Sequence, residues 1–332
     1  MSLLAAIALT LAGAAPNAYQ QTILSQQGLV AYWPMDGDLR PARGQVEFAP
    51  QGGRPQFADG PAGKSLVLDG RRFLAGGDSP QLDLANTTVE LCFLASFAEP
   101  PYNPCLIAKR APGDHRQTRF SVHLFRDYSA LAVWNGHQVN RFRPPQGKLA
   151  PDRWYHLAIT HTAQQMVLYL DGVPCLDEGP PGLFRLDQRR LPLSIGSSTP
   201  KGQELWTGRI AQVAFYAHAL CACDIARHVD ALGWQQRRLD LVRAVEEQAR
   251  REAQLRAEQD ARRADLAKQL LADPALEARG QSRVYRGESL DAVSLPLGGI
   301  GAGSIQINGA AELAAWQIFN NFNMIRVPNS FL

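Results

Sequence analysis

Acid–base cleavage of a sugar linkage needs two carboxylates facing each other about 5–10 Å apart. Within residues 28–231 the acids Asp127, Asp152, Asp171, Asp177, Glu178 and Asp187 all fall beside predicted turns, where such side chains serve the backbone or the solvent. No pattern pairs them, so the segment offers no catalytic residue. There is no Gly-x-Ser-x-Gly elbow to present a nucleophile, and His115, His123, His137 and His161 lack metal-ligand spacing. His156 sits inside a predicted strand and reads as a packed, hydrogen-bonded histidine. Aromatic side chains are the better binding candidates, because a ring face can stack on an apolar ligand face while a few polar groups orient it. Tyr102 lies in a Pro-rich loop; Tyr128 and Trp134 flank a predicted hairpin, with Asn135 beside its turn. If Leu131 and Val133 face a core, Trp134 faces outward, toward a ligand or a neighbouring loop.

The five cysteines are Cys92, Cys105, Cys175, Cys221 and Cys223. Cys92 and Cys105 are a disulfide candidate if their segments form a hairpin turning near Glu99; the alternative is buried, unreactive thiols. Cys221-Ala222-Cys223 has the wrong spacing for a zinc knuckle, and no second pair completes four ligands. An odd count leaves at least one thiol free.

The elements that would position these groups are strands. From Gly28 to Phe215 the chain is cut into short segments by Gly, Pro, Asp and Asn, several of them alternating apolar and polar residues. Between Trp154 and Thr160, Tyr155, Leu157 and Ile159 share one face while Trp154, His156, Ala158 and Thr160 share the other. Leu66-Val67-Leu68 runs into Asp69-Gly70, and Leu168-Tyr169-Leu170 into Asp171-Gly172, both turn dipeptides. Such strands, with no helix-length pattern between them, predict a mainly β, antiparallel sandwich.

Gly28-Leu29-Val30-Ala31-Tyr32-Trp33-Pro34-Met35-Asp36-Gly37 resembles the opening strand of laminin-G-like, concanavalin-A-like jelly rolls. Ser65–Gly70, Thr88–Phe93, Leu106–Lys109, Asp152–Ala158 with Leu168–Gly172, Leu193–Gly196 and Gly208–Tyr216 follow in that family's order, and Ala219–Ile225 resembles its short terminal helix. The resemblance implies a module that binds or positions rather than catalyses. Some members of the fold hold calcium, which takes several oxygen ligands. Relatives commonly carry an acidic pair where this chain has Ala211-Gln212, leaving Asp36 and Asp38 as the calcium candidates, although Asp-Gly-Asp is also ordinary turn chemistry.

Beyond Gly233 the composition shifts. Gln235 to Leu271 has no Gly or Pro and is rich in Ala, Arg, Glu, Gln and Leu, which are strong helix formers. Glu precedes Arg by four residues at Glu246–Arg250, Glu247–Arg251, Glu252–Arg256 and Glu258–Arg262, adding roughly 0.2–0.5 kcal/mol each. The predicted helical spacer, 234–272, would be on the order of 55 Å long. A coiled coil is the alternative, but the seam Leu241, Val245 and Leu255 is interrupted by Gln248 and Glu252.

In the tail, 280–332, Gly299-Ile300-Gly301-Ala302-Gly303 lacks the following Lys-Ser or Lys-Thr of a phosphate loop and the spacing of a dinucleotide fold. Pro296–Gly303 and Trp316-Gln317-Ile318-Phe319-Asn320 resemble the start of the N-terminal domain of glycoside hydrolase family 116, the bile-acid β-glucosidase group. That resemblance implies a parent hydrolase whose catalytic domain is absent from this chain. About forty residues cannot bury a domain core, so this β-rich remnant is expected to be poorly packed or to dock on something. At the other end, Leu3–Leu11 is apolar and uncharged and is followed by small residues, so 1–18 reads as a secretory signal peptide.

The chain has 332 residues with a formal charge of +3 and interleaved Arg and acid, which does not point to nucleic acid. No apolar stretch is long enough for a membrane helix. The expectation is a secreted, periplasmic or cell-surface module that binds carbohydrate or a cell-surface polymer at the front of a glycoside hydrolase. A protein-binding, adhesive module and a purely structural spacer are the alternatives.

Overall fold

The computed structural model describes residues 15–98, 100, 102–179, 186, 190–274, 284–292, 294–297, 304–318, 321–323 and 327. The apolar run Leu3–Leu11, Glu99, Asp187, the Gly298–Gly303 stretch, and Phe319 and Asn320 lie outside them. The chain divides into two compact units, residues 1–255 and 256–332.

The first unit is a sandwich of two eight-stranded sheets. Sheet A runs in the order β13 (Val173–Pro174), β12 (Met166–Leu170), β11 (Trp154–His161), β6 (Thr87–Ala95), β16 (Thr207–Tyr216), β4 (Gly63–Asp69) and β3 (Phe57–Gly60), with β1 (Leu29–Trp33) also on β16. Sheet B runs β14 (Leu176–Asp177), β10 (Val139–Arg143), β9 (Leu131–Trp134), β8 (Thr118–Leu124), β7 (Cys105–Arg110), β15 (Pro192–Ile195), β5 (Phe73–Asp78) and β2 (Phe48–Gln51). The pairings are antiparallel, as the turn chemistry requires: Asp171 and Gly172 both take positive φ, 49° and 79°. Between the sheets lies one core, with Trp33, Phe93, Leu157, Phe215, Ile107, Val122 and Trp206 excluded from water.

β6 and β7 do not form a hairpin. The chain crosses from sheet A to sheet B after Ala95, so Cys92 and Cys105 belong to different sheets and both are free buried thiols. The candidate disulfide between them is thereby corrected. The covalent pair is instead Cys221–Cys223.

The centre of sheet A is buried on both faces. The alternation in β11 predicts an outward row at His156, Ala158 and Thr160, yet all three are buried. Two helices cover them: α1 (Ala18–Ser25), capped by Asn17, and α2 (Ala222–Ala231). They bring Tyr19, Ile23, Leu220 and Ile225 against Leu29, Tyr32, Ala158, Ala214 and Tyr216 in a second hydrophobic cluster.

A polar group is sealed beneath these helices. Glu90 on β6 has no exposed surface; its carboxylate accepts from Tyr216 Oη at 2.6 Å and meets His228 Nδ1 of α2 at 2.9 Å, with His156 Nε2 at 3.5 Å from the same oxygen. Burial alone would raise the Glu90 pKa, but His228 and His156 outweigh it and hold the carboxyl below its ordinary value of 4.5. Nearby, Gln212 occupies a β16 bulge at φ 59°. That turn aims its amide at the Tyr32 hydroxyl and the Ala62 carbonyl, accepting from the first and donating to the second at 2.7 Å.

α3 (Gln235–Leu271) is one continuous helix of 37 residues with no buried residue. Its first turns are fastened to the sandwich. Arg237 donates to the Trp154 carbonyl at 2.8 Å and pairs with buried Asp171, while Arg238 holds Asp230 through two bonds of 2.8 and 2.7 Å. Of the four predicted Glu–Arg pairs, Glu247–Arg251 closes to 3.6 Å.

In the second unit the described strands β17 (Ser294–Leu297), β18 (Ser304–Asn308), β19 (Leu313–Ile318) and β20 (Asn321–Asn323) form a four-stranded antiparallel meander. None of its residues whose burial is described is buried.

Removing His228 leaves the Glu90 carboxylate sealed and short of a partner. His228→Ala is expected to cost about 3–5 kcal/mol in denaturant unfolding, the range for breaking a buried pair. Because the folded Glu90 pKa is depressed, the stability it contributes is complete above its unfolded value near 4.5 and is lost as pH falls through the lower folded value. Unfolding midpoints of the parent should therefore decline below about pH 4.5, and more steeply than those of Glu90→Gln.

Candidate functional site

The outer face of sheet B carries Trp134, one of the binding candidates. Directly paired strand residues share a face. The register therefore places Ala49, Ala75, Ser194, Ala108, Ser121, Trp134 and Val139 in one row across the outer face. Five small side chains lead to a half-buried Trp134 and to Val139, which is 46% exposed. The row two residues along is His123, Ala132 and Arg141, and the Arg141 guanidinium lies 4.7 Å from the Phe125 ring centre. Ala108, Ser121 and Ser194 at the centre of the row have no accessible surface, so the strip is covered, with half-buried Trp134 and exposed Val139 and Arg141 at one end of it.

Polar groups stand within it. His123 Nδ1 is 3.1 Å from the Asn103 carbonyl and Nε2 is 2.9 Å from Ser121 Oγ. A carbonyl only accepts, so Nδ1 carries the proton and Nε2 accepts from the Ser121 hydroxyl. Burial lowers the His123 pKa, which keeps the ring neutral and this arrangement intact. Arg110 Nη1 reaches Ser198 Oγ at 3.4 Å and Glu204 Oε2 at 3.3 Å. Arg110 Nε and Ser194 Oγ are buried without a hydrogen-bond partner, an uncommon condition for buried polar atoms.

The Ser121–His123 contact resembles a nucleophile with its base. Ser121, however, has no accessible surface, so no reacting carbon can approach Oγ in this conformation. The pair is a buried contact between β8 residues that orders this part of sheet B.

The four aromatic and amide candidates separate into two places. Trp134 and Asn135 lie at the β9–β10 hairpin, at one end of the cross-strand row. Trp134 has His115 as ring neighbour at 6.5 Å. Asn135 is buried, and its Oδ1 accepts from His137 N at 3.1 Å and Gln138 N at 2.8 Å, so it shapes the turn. Tyr128 is at the other end of β9, stacked on Phe97 at 4.7 Å, its hydroxyl donating to the Phe97 carbonyl at 2.8 Å. It lines a loop depression with Arg126, Asp127 and Lys148. Tyr102 is exposed on a loop tied to that end through Asn103, whose Oδ1 accepts from Arg126 N at 3.1 Å. The cross-strand row itself is not visible in sequence, because its members come from seven strands.

The calcium candidates are already engaged. Asp36 accepts from Lys64 N at 2.6 Å and Gln20 Nε2 at 3.1 Å, and Asp38 from Arg40 N at 2.9 Å and Arg40 Nε at 2.7 Å. These oxygens serve turns and a salt bridge and do not fit the convergent set that calcium takes.

Asn135→Ala would leave two backbone N–H groups of a tight hairpin unpaired. It is expected to lower stability by about 1–3 kcal/mol in thermal unfolding.

A family model described as the concanavalin A-like lectin/glucanases superfamily matches residues 77–226. No curated protein matches the sequence. Among solved structures, domain 4 of a GH43 extracellular arabinanase from Geobacillus stearothermophilus, determined with arabinotriose, is 18% identical, with a TM-score of 0.50 over 60% of this chain and 98% of that one. A Trypanosoma rangeli sialidase is 13% identical, with a TM-score of 0.46 over 61% of this chain and 33% of that one. Botulinum neurotoxin type C is 11% identical, with a TM-score of 0.46 over 61% of this chain and 50% of that one. The sandwich has the jelly-roll fold of the concanavalin A-like lectins and glucanases.

Proposed function

We propose that the sandwich is a non-catalytic carbohydrate-binding module that uses the outer face of sheet B. The observation that carries this is the accessible end of the cross-strand row, where half-buried Trp134 stands beside exposed Val139 and Arg141, with the Arg141 guanidinium over the Phe125 ring. A sugar ring presents an apolar face and a rim of hydroxyls, which an aromatic face beside a guanidinium suits. The arabinanase domain that shares the fold was determined with arabinotriose, which supports the ligand class.

In this reading the module stands at the front of an exported glycoside hydrolase. α3 serves as a semi-rigid spacer, and residues 280–332 begin a further domain of the family 116 type. The resemblance of Pro296–Gly303 and Trp316–Asn320 supports that placement. Continuation of the reading frame beyond Leu332 into a helical catalytic domain is the corresponding expectation, and a stop codon at that point would overturn it.

The full chain should bind one or more oligosaccharides on a glycan array. Trp134→Ala should weaken that binding by about tenfold or more, a loss typical of a stacking aromatic, with unfolding unchanged. Retention of affinity by this variant, or capture of a protein with no glycan bound, would overturn the reading. Because Asp36 and Asp38 are occupied by protein donors, chelation with EDTA is expected to leave the affinity unchanged.

A further inference from the structure

The cysteines fall into two chemical populations. Cys92, Cys105 and Cys175 are buried thiols, and burial pushes each above the ordinary thiol range, which leaves them poor nucleophiles at neutral pH. Cys221 and Cys223 are bonded to each other and both are exposed.

Their bond encloses a single residue. A loop that short restricts the unfolded chain little, so the bond is not a staple of the kind that joins distant segments. α2 is also held by Ile225, His228 and Val229, all of them buried.

The position instead suits exchange chemistry. Cys221 is the N-cap of α2, and its Sγ accepts the Asp224 backbone N–H at 3.2 Å. A sulfur there faces the positive end of the helix, which favours the thiolate and makes it a good leaving group. The one carboxylate in the first turn, Asp224, has its charge met by Arg227 at 2.5 Å.

We propose that Cys221–Cys223 is a thiol–disulfide exchange site for thiols of low molecular mass. The thiolate of one small thiol attacks Cys223 Sγ. The Cys221–Cys223 bond breaks, and its electron pair leaves on Cys221 Sγ, which faces the Asp224 N–H. A second small thiolate attacks the small-molecule sulfur of the resulting mixed disulfide and releases Cys223 as thiolate. The two protons of the small thiols end on Cys221 and Cys223. Two small thiols are oxidised to one disulfide while the protein disulfide gains two electrons, and the reverse sequence restores it.

The test uses the full chain equilibrated in glutathione buffers stepped from reduced to oxidised, with EDTA present, quenched by iodoacetamide and mapped by mass spectrometry. Cys221 and Cys223 are expected to pass together from complete alkylation to complete loss of it within the series. Cys92, Cys105 and Cys175 should stay unlabelled throughout. Cys221→Ser should accumulate a glutathione mixed disulfide at Cys223. The proposal is overturned if the pair stays oxidised in the most reducing buffer or stays reduced in the most oxidising one. It is equally overturned if the pair becomes labelled only together with the buried thiols, or only when EDTA strips a metal from it.

Discussion

A carboxylate without access to water sets the terms for this molecule. Glu90 projects from the middle of sheet A into the layer under α1 and α2, and a buried charge is tolerable only with partners. Tyr216 comes from the adjacent strand, His156 from the strand on the other side, and His228 from α2. The three groups are brought in from β11, β16 and the helix that follows the sandwich. Satisfying Glu90 therefore ties the end of the sandwich sequence to its centre.

Helices cover the centre of sheet A's outer face, and on sheet B the small central residues Ala108, Ser121 and Ser194 are also without accessible surface. The accessible aromatic end of that face is Trp134, with Val139 and Arg141 beside it. The charges divide between the two sides. Arg237 and Asp171 root α3 on the helix-covered side, whereas Arg110 and Glu204 accompany His123 on the sheet B side.

α3 obeys a different rule. It buries no residue, so its helical state rests on propensity, length and local charge pairs rather than on a core. Its first turns are anchored through Arg237 and Arg238, and Val245, Gln248 and Glu252 border a depression with Arg143, Pro144 and Pro174.

Much of this architecture is legible along the chain because strands and turns are local. Asp69-Gly70 and Asp171-Gly172 end strands because those dipeptides accept positive φ, and the Gly- and Pro-free run from Gln235 to Leu271 is helical because its residues favour it. Tyr102, Tyr128 and Trp134 were legible as aromatics near turns, but not that β9 separates Tyr128 from Trp134. Alternation in Thr88–Phe93 makes Glu90 an outward residue, and outward in a sandwich ordinarily means solvent; only the return of α2, 138 residues later, seals it. The hairpin imagined between Cys92 and Cys105 failed for the same reason, since nothing local states whether a turn stays in its sheet or crosses to the other. The sequence by itself determined the strands, the turns, the helix and the sandwich. Tertiary structure decided which sheet face is covered, which thiols meet, and which seven strands form the row that ends at Trp134 and Val139, because those outcomes depend on pairings between segments far apart in the chain.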